Sequence, residues 1–125
     1  GVLPRPIQLA SFVGSIRRRL KARGVRYAGD PRMFVRRVAV CGGSGSDLLA
    51  EAIRSGVDAF VTADVKYHAF HGLPPGFALI DAGHAETEQV ILRPLAERLR
   101  AAARTRGERL DVVVSRVRTN PVQSS

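Results

Sequence analysis

The sequence predicts an α/β fold, a central, largely parallel or mixed sheet flanked by helices, and three observations carry that reading. Short apolar, β-branched runs alternate with stretches of helical spacing, the order expected when strands are joined through helices. Residues 35–41, 59–62 and 77–81 are each short and apolar enough for buried strands. Glycine or proline stands between most of these runs, where the chain has to turn.

In chain order, residues 1–6 contain Pro4 and Pro6 and read as an extended linker. Across 7–23, Ile7, Leu9, Phe12, Val13, Ile16 and Leu20 recur at helical intervals, with Gly24 as the C-cap. Residues 26–28 form a short strand, Gly29-Asp30-Pro31 a turn, and 35–41 a buried strand. Gly42-Gly43-Ser44-Gly45-Ser46-Asp47 leads into a helix over 48–55 that Gly56 ends. A strand at 59–62, a helical turn at 64–70, a proline-containing loop at 72–76 and a strand at 77–81 follow. The longest helix covers 85–106, with Val90, Ile91, Leu95 and Leu99 on one stripe. Pro94 should bend it or split it near Leu92. Gly107 stops it, 110–117 is a last strand, and 119–125 is coil. The resulting order is α-β-β-α-β-β-α-β.

Length bounds the rest: 125 residues make one domain with a real core. A hydrophobic fraction of 45% excludes a disordered chain. No apolar run approaches the ~18 residues of a membrane span. The opening Gly1-Val2-Leu3-Pro4 lacks a signal pattern and reads as a cut within a longer protein. Cys41 is the single cysteine, so no internal disulfide forms and a cysteine-based zinc site is disfavoured. It reads as a small buried residue at a strand end, in a cytoplasmic protein. The net charge of +9 is carried mostly by arginine. It fits an affinity for polyanions, and equally arginines spread over solvated faces. Without interleaved aromatics or a zinc finger, it argues against specific nucleic-acid binding.

Three segments can carry chemistry. The first is the glycine-rich turn, where Gly43, Ser44 and Gly45 could cradle a phosphate or carboxylate before a helix. It lacks the lysine of a P-loop, and a tight turn packed on a neighbouring strand explains it equally well. The second is Asp64-Val65-Lys66-Tyr67-His68, after a short strand, where parallel sheets place their ligand crevices. Asp64 could bond an imidazole, Lys66 an anion, and His68 could act as acid, base or ligand; a capped surface turn is the plainer alternative. His71 reads as an ordinary loop histidine. The third and strongest is Asp81-Ala82-Gly83-His84-Ala85-Glu86-Thr87-Glu88. His84 and Glu88 stand four apart, a spacing that lets both reach one divalent cation, or bridge two, from a helix's first turn. Acidic residues there also complement the helix dipole. Two ligands do not complete a site. The remainder must come from Asp64, His68, Asp81 or a segment outside this chain.

Residues 38–46 (VAVCGGSGS), 61–68 (VTADVKYH) and 80–88 (IDAGHAETE), in this order and at these separations, resemble the C-terminal half of the Nif-three-like dinuclear metal centre hexameric proteins. Many of these are known as GTP cyclohydrolase 1 type 2 homologues. Thr119-Asn120-Pro121-Val122 is similar to the family's ending, and the resemblance spans about residues 1–122. It implies that residues 1–125 are the C-terminal lobe of a two-lobed protein, with the N-terminal metal-binding lobe absent. It implies a homohexamer and two divalent ions (Zn, Mn, Fe or Co) per full-length subunit, in a cleft between lobes. His84 and Glu88 fall on the family's lobe-two ligands; a histidine pair and an aspartate from the other lobe supply the rest. Asp64, Lys66 and His68 then stand behind the ligands or face a nucleotide-like substrate. A metal-dependent hydrolase is one functional expectation, with the catalytic residues unassigned; a non-enzymatic metal-handling or regulatory scaffold is the other. Two departures are visible: Ala85 replaces the usual aromatic after the histidine, and Gln123-Ser124-Ser125 replaces an aromatic tail.

Overall fold

The computed structural model describes residues 1–117 and 119–122; the Gln123-Ser124-Ser125 ending lies outside the described residues. The chain divides into two compact units, Gly1–Thr87 and another from Glu88 onward.

The first unit is built on five strands: β1 (Val2–Gln8), β2 (Arg26–Ala28), β3 (Phe34–Ser44), β4 (Ala59–Ala63) and β5 (Ala78–Asp81). They lie in the order β1-β3-β4-β5-β2. The three central strands are parallel, and both edge strands run antiparallel to their neighbours. The sheet is therefore mixed, as anticipated. Between the strands lie helix α1 (Leu9–Leu20) and helix α2 (Leu49–Arg54).

Strand alternation explains the core. Ala59, Val61, Ala78 and Ile80 alternate onto one side of β4 and β5 and cluster with Val35, Val38 and with Leu9, Phe12, Val13 and Ile16 of α1. Each buried α1 side chain of this size contributes about 1.5–3 kcal/mol of transfer free energy. Phe60, Phe77 and Leu79 face the other side, with Ala52 of α2 and Val65. All five β4 residues are buried, so neither face of this strand meets solvent, and Thr62 is its one polar residue. The far half of β3 is more open than the sequence reading held, with Val40 75% exposed and Cys41 partly buried.

Four expectations are corrected. Residues 1–6 are not a linker: β1 pairs Val2 with Arg37 and Ile7 with Val35. The register slips between those pairs, where Pro4 and Pro6 stand. An edge strand tolerates proline because one side of its backbone needs no sheet partner. Helix α1 ends before Gly24. Lys21 adopts φ 54°, and the Ala22 amide bonds the Arg17 carbonyl at 3.0 Å while Ala22 is buried. That is a left-handed cap made without glycine. A Cβ at Gly24 would meet open space. Gly24→Ala is therefore expected to change the urea midpoint by the equivalent of less than about 0.5 kcal/mol. Third, Gly42, Gly43 and Ser44 continue β3 rather than turning at once; a 3-10 turn at Ser46–Leu48 makes the reversal.

The fourth correction is in the second unit. The long helix is split as the proline required: α3 (His84–Gln89), which opens within the first unit, is followed by α4 (Leu92–Thr105). Pro94 sits in the first turn of α4, where its missing N–H breaks no bond. No strand forms at 110–117 among the described residues. Val113 and Val117 are 85% and 75% exposed. An apolar alternation needs a neighbouring strand to become a ladder, and this segment has α4 beside it, with the Arg100 guanidinium donating to the Val112 carbonyl (2.5 Å). No helix among the described residues is long and apolar enough to cross a membrane.

Candidate metal-ligand site at the ends of two parallel strands

β4 and β5 run parallel with Thr62 opposite Asp81. Two residues past the first comes Asp64, and three past the second comes His84. The sheet thus delivers both to the same edge, where parallel sheets hold their ligands. His84 Nδ1 and Asp64 Oδ2 lie 2.6 Å apart, with side chains 48% and 52% exposed. Asp64 adopts φ 55°, a left-handed conformation that aspartate tolerates better than most residues.

Asp81, weighed as a ligand from sequence, has a different task. Its side chain is 8% exposed. Oδ1 accepts the Gly83 amide at 3.2 Å, and Oδ2 accepts the Val65 amide at 3.1 Å and the Arg26 guanidinium at 2.5 Å. The same guanidinium also donates to the Val65 carbonyl at 2.9 Å and stacks over Phe70 at 5.5 Å. Asp81 therefore joins the residue after Asp64 to the residue before His84.

The glycine segment is held by two threonines. Gly45 N–H donates to Thr62 Oγ1 at 2.9 Å, and that hydroxyl lies 3.1 Å from the Gly43 carbonyl. Gly43 N–H donates to Thr87 Oγ1 at 2.9 Å, which lies 2.9 Å from both the Gly83 and His84 carbonyls. Two of the amides considered for an anion thus have partners inside the fold. Ser44 is exposed beside them.

Of the residues expected near the site, Asp64 and His84 meet. Lys66 and His68 are exposed on the loop after β4. In that loop, Tyr67 packs edge-on against His71, ring centres 4.8 Å apart. Glu88 is the exposed first residue of the second unit. Among the described residues, no group of three or more histidine, cysteine, aspartate or glutamate side chains gathers as a metal cage. What does fit a metal is the donor chemistry of His84, an imidazole with a carboxylate on one ring nitrogen. Sequence reading missed Arg26, Thr62 and Thr87. Arg26 lies directly opposite Asp81 in an antiparallel pair separated by more than fifty residues of chain, and no local signal reports that.

The comparisons agree with this architecture. A protein from Mycobacterium leprae named GTP cyclohydrolase 1 type 2 homolog is 42% identical over 125 residues, covering 97% of this chain and 32% of its own length. A Streptomyces coelicolor protein of the same name is 37% identical, covering 95% and 43%. The crystal structure of a Bacillus cereus protein related to NIF3 superposes with a TM-score of 0.89 at 28% identity, covering 100% of this chain and 35% of that one. A Staphylococcus aureus crystal structure gives the same TM-score at 29% identity, covering 99% and 36%. This chain spans about a third of the length of most of these relatives. The family model described as Duf34/NIF3 (NGG1p interacting factor 3) matches residues 1–121. This chain therefore belongs to the Duf34/NIF3 family.

Proposed function

We propose that this chain contributes His84 and Glu88 to a dinuclear divalent-metal centre whose other ligands lie outside residues 1–125. We further propose that the complete protein is a hydrolase of the kind its relatives' names describe, GTP cyclohydrolase 1 type 2. The observation that carries the reading is the Asp64 carboxylate 2.6 Å from His84 Nδ1, since metal-bound histidines characteristically have such a partner. Glu88 joins the proposal through its four-residue spacing from His84 and the family resemblance. Two ligands fall short of the three or four of a zinc-type site, which is why the remainder is assigned elsewhere. When bound, the metal pair supplies Lewis acidity. The chain's own residues orient the ligand imidazole and, through Lys66, offer a cation to a nucleotide-like substrate. The identity of the metal follows availability among Zn, Mn, Fe and Co, all of which accept histidine and carboxylate. A homohexameric, cytoplasmic assembly is part of the same proposal.

Elemental analysis after dialysis tests it. The full-length protein should hold about two divalent ions per subunit, the family's expectation. His84→Ala should lose at least one while keeping the wild-type circular dichroism spectrum. Glu88→Gln should lower occupancy without unfolding, because the near-isosteric amide lacks the charge. Unchanged metal content in both variants would refute the ligand assignment.

A further inference from the structure

We propose that Asp64 is a positioning residue that fixes His84 as its Nδ1–H tautomer, and so assigns Nε2 as the nitrogen offered to a metal. The second half of this statement rests on the metal reading above; the first half does not.

The 2.6 Å contact joins one carboxylate oxygen to one ring nitrogen. An ionised carboxylate only accepts hydrogen bonds, so the proton between them belongs to Nδ1. A neutral imidazole with Nδ1 protonated carries its lone pair on Nε2, across the ring. Two half-exposed side chains would hold such an arrangement loosely by themselves, and three features of the backbone tighten it.

First, Asp64 sits at φ 55°; among the described residues, Lys21 at the α1 cap is the other non-glycine with positive φ. A Cβ makes such a conformation less favourable than it is for glycine, although aspartate bears it better than most residues. Glycine would remove that cost and the carboxylate together. Second, Asp81 bonds the amides of Val65 and Gly83, one residue beyond Asp64 and one before His84. A single buried group therefore sets the separation of the two loops. Third, Thr87 Oγ1 lies 2.9 Å from the His84 carbonyl and also receives the Gly43 amide, which ties the first turn of α3 to β3. The imidazole is thereby held at its backbone and at Nδ1.

The test is the tautomer itself, read by long-range proton–nitrogen correlation on protein with labelled histidine, without metal and with His84 in its neutral form. The expected spectrum shows Nδ1 protonated and Nε2 with the shift of an unprotonated nitrogen. Asp64→Gly should relieve backbone strain and keep the fold, with an unchanged or higher melting temperature. It should let His84 relax toward the tautomer mixture of a solvated imidazole. Asp64→Asn should go further: its amide can donate to Nδ1 and drive the proton to Nε2. In the full-length protein, both variants should bind Zn²⁺ about 10–100-fold more weakly than wild type. Finding His84 as Nε2–H in the wild type would overturn the proposal, as would a tautomer indifferent to both variants. The expected tautomer in a full-length protein that takes up no metal would leave the positioning role standing and defeat the metal reading.

Discussion

Asp81→Ala is expected to lower the unfolding free energy of the Gly1–Thr87 unit by about 2–4 kcal/mol, most of it from two amides that lose their acceptor. The side chain is nearly buried and accepts from Val65, Gly83 and Arg26. Its removal strands the buried Val65 amide and takes the acceptor from the part-buried Gly83 amide. The ion pair adds less: Arg26 is 63% exposed, and solvent screens its attraction. Arg26→Ala should therefore cost no more than about 1 kcal/mol, and Asp81→Asn, which retains one acceptor oxygen, should fall between. Urea titrations of the three variants settle the order. If Arg26→Ala proves as costly as Asp81→Ala, the ion pair and not the amide bonding carries the weight. Asp81→Ala should also disturb the Asp64–His84 contact, because the loops that bear it lose their common anchor.

The second large effect is expected at Gly45. A methyl group there would lie 2.5 Å from Thr62 Oγ1 and 2.7 Å from Cys41 Cβ. The backbone at Gly45 has φ −115°, accessible to any residue, so the requirement is for space and not for conformational freedom. Thr62 is fully buried and bonded to both Gly43 and Gly45, so it has no room to give way. Gly45→Ala should cost about 2–3 kcal/mol through overpacking, visible as a lower urea midpoint with an unchanged slope. A change below the Gly24→Ala control would mean that the β3 end can shift freely.

What could be read from sequence divides along the range of the interactions involved. The parallel strands were legible because β4 and β5 are buried on both faces and are apolar but for Thr62 and Asp81 near their ends. The helix break at Pro94 was legible because proline acts through covalent geometry. β1 was hidden because the penalty for Pro4 and Pro6 disappears at a sheet edge, and only the pairing with β3 shows that it is one. The α1 terminus was misplaced because Lys21 took the left-handed role that Gly24 advertised, with Ala22 buried just after it. Residues 110–117 carry a strand's composition, yet no strand forms there among the described residues. At the site, His84 and Asp64 were visible as chemistry-bearing residues. Their contact depends on adjacent strand ends, and Asp81's function on a cross-sheet arginine, and neither follows from spacing alone.

The sheet order also constrains when this fold can form during synthesis. Both outer strands and the helix between them come from the first 28 residues, whereas the strands they flank are made later. As the ribosome releases the chain, α1 emerges with its apolar stripe exposed and no surface to cover. β2 waits for β5, roughly fifty residues behind it. β1 and α1 gain their partner as soon as β3 emerges, whereas β2, made before β3, is secured only once β5 has followed.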